Sequence, residues 1–283
     1  MKFATKQQTI QCGKYTLDYG GKTQIMGILN TTPDSFSDGG KYVDIDTAIF
    51  HAKEMIKNGA DIIDIGGEST RPGFVPVSVE QEIERTIPVI RKLAKEIDVP
   101  ISIDTYKAEV AKQAVEAGAT IINDIWGAKA DPDMANVAAK YDVPIILMHN
   151  RHNCDYDQLI PDMIVDLMES VKLVKDAGVK DEKIILDPGV GFAKTMEGNL
   201  LVMRHLESFV QLGYPVLLGT SRKSFIGHVL DLPPIERLEG TGATICLGIE
   251  KGCNIIRIHD VLEMSRMAKM MDAMLGKGGQ DHR

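Results

Sequence analysis

The sequence predicts an α/β fold, a (β/α)8 TIM barrel, on three observations. Eight short runs rich in Ile and Val recur along the 283 residues. Amphipathic helical patterns separate them. Polar residues collect at the C-terminal end of nearly every run, the face on which barrels of this class carry their active sites. One such domain accounts for the whole chain, 1–283, because these barrels reach about 250 residues without a second domain.

The first two runs are Gln24–Asn30 (QIMGILN) and Asp61–Gly66 (DIIDIG). Pro100–Asp104, Thr120–Asp124 and Pro144–Met148 follow, then Lys183–Asp187, Pro215–Gly219 and Asn254–Ile258. Each is nearly continuous in apolarity, as expected of a strand buried on both faces of a parallel sheet. Ala48, Ile49, Ala52, Met55 and Ile56 mark one helical face between them. Ile83, Ile87, Ile90, Ala94 and Ile97 mark another. Ile160, Met163, Ile164, Leu167, Met168, Val171 and Val174 form a third stripe. Gly59 and Gly118 stand where helix C-caps favour glycine. Pro88 predicts a kink in its helix or a later start.

Strands alternating with helices require a parallel sheet and right-handed crossovers. The open doubly wound sheet is the alternative. It normally carries GxGxxG after its first strand, and that motif is absent after Asn30. Thr9–Cys12 and Tyr15–Asp18 flank Gly13-Lys14 as a hairpin within residues 8–20, placed to plug the barrel bottom. Residues 276–283 are polar and predict a frayed tail.

Composition narrows the function. Hydrophobic residues are 44% and charged residues 25%, a globular balance. The net charge of −8 opposes a general nucleic-acid binder, which needs a basic surface. Cys12, Cys154, Cys246 and Cys253 form no CxxC pair and no metal cluster, so reduced thiols and a cytoplasmic location are expected. No apolar stretch fits a signal peptide or a membrane span.

Two chemistries share the strand ends. Asp104, Asn123 and Asp187 offer acceptors and an amide, which suit a flat heterocycle rich in N–H donors. A single strand-end Asp equally suits a helix cap. Paired carboxylates also serve glycosidases. Sugar sites usually add aromatic platforms, however, and aromatics here are 5% with one Trp. A carboxylate metal cage is a third reading. The second group, Arg71, Lys223, Arg257 and His259 with Asn30 nearby, is cationic in an acidic protein. It points to an anion, most simply a phosphate or diphosphate, and a diphosphate brings Mg²⁺ with Asn30 as one oxygen ligand. Arg222 reads as a surface charge. The long loops Thr31–Asp44 and Gly66–Val77 read as lids.

These residues sit in motifs that resemble the dihydropteroate synthase family. The blocks are MGILNTTPDSFSDGG (26–40), DIIDIGGESTRPG (61–73), SIDTYK (102–107), IINDIWG (121–127), LMHN (147–150), LDPGVGFAKT (186–195), GTSRKSFIG (219–227) and IRIHD (256–260). They fall in order, one per strand end, from about Gln24 to Val261. The resemblance implies a transferase. It would condense 6-hydroxymethyl-7,8-dihydropterin diphosphate with p-aminobenzoate, giving 7,8-dihydropteroate and diphosphate. It implies a pterin set of Asp104, Asn123, Met148, Asp187 and Lys223. It implies a diphosphate set of Asn30, Thr70, Arg71, Arg257 and His259, with Mg²⁺ on Asn30. Phe36, Pro72, Phe192, Lys223 and Ser224 would form the aminobenzoate pocket. Asp104, Lys223, Arg257 and His259 would carry catalysis, with Asp38 or Asp34 reaching in from the first lid. A homodimer and sensitivity to sulfonamides, which mimic p-aminobenzoate, are also implied. Two rivals share the pterin pocket: a methyltetrahydrofolate-binding methyl-transfer barrel and a non-catalytic pterin-binding paralogue.

Overall fold

Side-chain alternation along the strands builds both the core and the site. The computed structural model describes residues 8–31, 41–68 and 76–278. A hairpin comes first, strands β1 (Thr9–Cys12) and β2 (Tyr15–Asp18), paired antiparallel with Thr9 opposite Asp18. The barrel strands follow as β3 (Gln24–Asn30), β4 (Ile62–Gly66), β5 (Ile101–Asp104), β6 (Ile121–Asp124), β7 (Ile145–Met148), β8 (Ile184–Asp187), β9 (Leu217–Leu218) and β10 (Ile255–Ile258). They form one parallel sheet in the order β8-β7-β6-β5-β4-β3-β10-β9. A single bridge between Leu186 and Val216 joins its two edges, so the sheet is a nearly closed barrel.

Inward positions on the lower strands are apolar. Met26, Ile62, Ile121, Ile146, Ile185, Leu217 and Ile255 cluster with the hairpin's Ile10, Cys12, Leu17 and Tyr19. The hairpin therefore plugs the barrel bottom, as expected. Outward positions such as Ile63, Ile65, Ile103, Ile122, Leu147 and Ile256 pack under the helices. Two residues above the apolar ring, the inward face turns polar: Asp64, Asn123, Asp187 and Arg257 each follow an inward apolar residue at i+2.

The outer helices are α1 (Lys41–Lys57), α2 (Val79–Glu96), α3 (Ala108–Ala117), α4 (Met134–Tyr141), α5 (Leu159–Asp176), α6 (Met196–Arg204), α7 (Leu206–Val210), α8 (Ser224–Leu230), α9 (Leu238–Glu250) and α10 (Val261–Leu275). α2 begins well before Pro88 and runs through it, so the later start does not occur. A capping box fixes that start: Gln81 N donates to Ser78 Oγ and Ser78 N to Gln81 Oε1, each at 3.2 Å. α1 begins at Lys41, so residues 41–44, read as loop, are helical. Gly118 closes α3 at φ 121°. The stripe predicted for α5 is too wide, since Met168 is 39% exposed.

β9 is the other departure, shorter than the predicted Pro215–Gly219. Pro215 has no N–H to pair, and Val216 N is taken by Asn254 Oδ1 at 3.0 Å. Thr23 N and Oγ1 each donate to the buried Asp272 carboxylate of α10 at 2.7 Å, tying the first barrel strand to the last helix. No helix among the described residues is long and apolar enough to cross a membrane.

Candidate active site

The parallel register sets the polar ring. Asn30 pairs with Gly66, Gly66 with Asp104, Asp104 with Asn123, and Met148 with Asp187. Arg257 reaches across from β10. Its Nε donates to Asp64 Oδ2 and its Nη2 to Asp104 Oδ2, both at 2.6 Å. Asn123 Nδ2 donates to the same Asp64 oxygen at 3.2 Å. One guanidinium thus spans two carboxylates on adjacent strands, with the amide behind them. Arg257 stands among the acceptors rather than apart from them.

Asp187 is held by the turn after β8, where Gly189 N donates to its Oδ1 at 2.7 Å. Lys223, the N-cap of α8, extends back over this turn. Its Nζ donates to the Val190 carbonyl and lies 4.6 Å from the Phe192 ring centre. Gly191, at φ 90°, leaves room for the lysine stem, because a Cβ there would lie 2.7 Å from Lys223 Cδ. Ser224 follows as the first residue of α8. His259 follows β10, its Nδ1 2.9 Å from Ser221 Oγ. Its backbone N donates to the same oxygen at 3.1 Å, which joins the last two barrel loops.

Burial sets the charges. It pushes the Asp104 carboxyl up to about 7, against the pull of Arg257 and with Asp64 adding to the push. Burial raises Asp187 too, opposed by Lys223 and the Gly189 N–H. It brings Lys223 down to about 8, although Asp187 holds it up. Burial also works against the Arg257 charge, but Asp64 and Asp104 outweigh it and keep the guanidinium above its usual value. The ring combines one carboxyl, Asp104, that titrates near neutrality with one permanent cation, Arg257.

Asp104, Asn123, Met148, Asp187, Asn30, Arg257, His259, Lys223 and Phe192 lie at the C-terminal ends of the strands or in the loops after them, and Ser224 opens the helix that follows, all at the predicted face. Phe36, Asp38, Asp34, Thr70, Arg71 and Pro72 lie outside the described residues. The stem of their second loop is described. Glu68 accepts from Val77 N at 3.1 Å, Lys107 Nζ at 2.6 Å and Tyr106 Oη at 3.0 Å, which ties the two ends together. Arg222 is no free surface charge. It pairs with Asp260 through both Nε and Nη2, and its side chain is 32% exposed.

Asp64 was missed. It is fully buried in mid-strand, and its Oδ1 has no hydrogen-bond partner among the described residues. The signal was its parity. Ile62, Asp64 and Gly66 share one face of β4, so a charge at 64 had to point inward. Ser221 was missed as well, hidden among the polar residues of its block.

Comparison with known proteins agrees with this geometry. The family described as "Pterin binding enzyme" matches residues 26–259. The dihydropteroate synthase of Bacillus subtilis (strain 168) is 66% identical over 275 residues, 97% of this chain and 96% of that protein. The crystal structure of FolP, the dihydropteroate synthase of Clostridium difficile, in the presence of pteroic acid is 54% identical with a TM-score of 0.90, covering 91% of this chain and 98% of that one. The Xanthomonas albilineans dihydropteroate synthase with 4-aminobenzoic acid is 36% identical with a TM-score of 0.91, over 95% and 99%. A barrel whose mouth carries this ring, matched over nearly its full length at these identities, belongs to the dihydropteroate synthase family of pterin-binding transferases.

Proposed function

We propose that this chain condenses 6-hydroxymethyl-7,8-dihydropterin diphosphate with p-aminobenzoate on the ring described above. The observation that carries the reading is the Arg257 bridge between Asp64 and Asp104, beside Asn123 and Asp187. A pterin edge presents N–H donors, and these buried carboxylates are acceptors of matching type. Asp104, Asn123, Asp187 and Lys223 bind the pterin, and Met148 packs on its face. Asn30, Arg257 and His259, with Thr70 and Arg71, hold the diphosphate. Phe192, Ser224 and the Lys223 stem, with Phe36 and Pro72, receive p-aminobenzoate.

The chemistry is the loss of diphosphate, which leaves a methylene cation delocalised over the pterin ring. Asp104 offsets that positive charge while Arg257 and His259 hold the departing anion. The neutral arylamine is already nucleophilic, so no strong base is needed. The donor set fits Mg²⁺ in kind. Asn30 offers one hard oxygen, and no group of three His, Cys, Asp or Glu side chains suited to a metal gathers among the described residues. The substrate's own diphosphate and water would have to supply the remaining oxygen ligands. Bound there, Mg²⁺ would neutralise charge on the leaving group. The test mixes the protein with both substrates and Mg²⁺. Dihydropteroate and diphosphate should appear together, and EDTA should abolish both. Pterin binding without diphosphate release would overturn the reading.

The chain also forms a homodimer in this reading. Val229 and Leu230 on α8, Leu247 on α9, and Met270 and Met274 on α10 are exposed apolar side chains, with Met274 61% exposed. Sedimentation velocity should give twice the chain mass, and Met274→Lys should give a monomer. Wild-type protein that sediments as a monomer would refute the dimer. The four cysteines are unpaired, in keeping with the cytoplasm.

A further inference from the structure

A second polar cluster lies beneath the loop after β8, and the roles above leave it unused. Lys194 Nζ donates to the carbonyl oxygens of Gly189 at 2.9 Å and Phe192 at 2.8 Å. The same nitrogen is 3.2 Å from His149 Nδ1. His149, buried after β7, has its Nε2 3.0 Å from Asp166 Oδ2 on α5. Arg151 Nε donates to that oxygen at 2.6 Å. Tyr156 Oη donates to Ala193 O at 2.9 Å, gripping the same segment from the side.

Proton accounting orders this chain. A carboxylate only accepts, so the hydrogen of His149 sits on Nε2 and points at Asp166. Burial, with Lys194 adding to it, drives His149 down to about 3, so the imidazole is neutral and Nδ1 is an acceptor. Lys194 is therefore the donor to His149. Burial and the Lys223 charge bring Lys194 down to about 7. The ammonium form has the three N–H groups that the two carbonyls and His149 Nδ1 require; the neutral amine, with two, keeps the carbonyls and gives up His149.

Those carbonyls belong to residues that touch the site. Gly189 gives its N–H to Asp187, and Phe192 turns its ring toward Lys223. We propose that Lys194, held by His149 and Asp166, is a positioning residue that sets Phe192 against Lys223 and so fixes the arylamine side of the site. The inference rests on the assignment of Phe192 to the p-aminobenzoate pocket.

Steady-state kinetics test it. Lys194→Met should raise KM for p-aminobenzoate about tenfold, with kcat and KM for the dihydropterin diphosphate within about twofold. Phe192→Ala should raise the same KM. In that background Lys194→Met should add nothing, because both act through one ring. Full additivity of the two effects overturns the inference, as does an equal loss in both KM values. An unchanged KM in Lys194→Met, when Phe192→Ala has raised it, overturns the inference alone. An unchanged KM in Phe192→Ala overturns the pocket assignment and the inference with it. Should Lys194→Met fail to fold, Tyr156→Phe removes one donor from the same segment and should raise that KM about threefold. No change there also refutes the role.

Discussion

Asp104→Asn is expected to lower kcat/KM for the dihydropterin diphosphate roughly 10³-fold. The change is isosteric and keeps an oxygen for Arg257 Nη2, so the fold survives and only the negative charge is lost. In the proposed reaction that charge faces a cation as diphosphate departs, in a setting with little water to screen it. The pH profile follows from the same group. The ionised carboxylate is the working form, and burial pushes its titration up to about 7. The wild-type kcat/KM should therefore fall on the acid side, about tenfold per pH unit below that value. Lys223, brought down to about 8 by burial, should give a decline on the alkaline side as it loses its proton. The groups interact, so the two limbs report the set rather than single residues. Initial rates from about pH 5.5 to 9.5 read both limbs. An acid limb that persists unchanged in Asp104→Asn would assign it to another group.

The second large effect belongs to Asp64. Asp64→Ala should cost about 3 kcal/mol of stability, because it strands the Nε of the half-buried Arg257 against the fully buried space Asp64 leaves. It should also lower kcat/KM about 10²-fold, since the guanidinium then keeps only its Asp104 anchor and swings out of line. Urea unfolding and initial rates together measure the pair of effects. Asp64→Asn, which retains an acceptor, should lose less in both. Full stability in Asp64→Ala would refute the view that this carboxylate pins Arg257.

Asp64 also marks the boundary of what the sequence made legible. The seven longer barrel strands end at the predicted residue and start within one residue of prediction. Their doubly apolar runs leave few other solutions. The candidate residues at strand ends were legible because a polar group closing an apolar run stands out. Asp64 stands inside such a run, and its partner Arg257 is 193 residues away. Only barrel closure, which sets β10 beside β3 and β3 beside β4, brings the two together. Lys194 was opaque for a related reason. Its meaning lies in three acceptors, and the two carbonyls among them leave no trace in side-chain composition. Helix breadth was overestimated on α5, since apolar residues such as Met168 occur on exposed faces as well as buried ones.

The clasp between Thr23 and Asp272 bears on how the chain tolerates being rebuilt. It draws the two ends of the described fold together at the plugged bottom. Gln8 O accepts from Tyr19 N at 2.7 Å, and a Cβ on Gly278 would lie 3.0 Å from Gly21 O. A short linker from 278 to 8 therefore spans a small gap, and circular permutants opened in an outer loop should keep the barrel. Fusion partners or surface tethers attached at either of these positions extend from the face opposite the mouth. Immobilised on such a tether, the protein presents its catalytic face to solution.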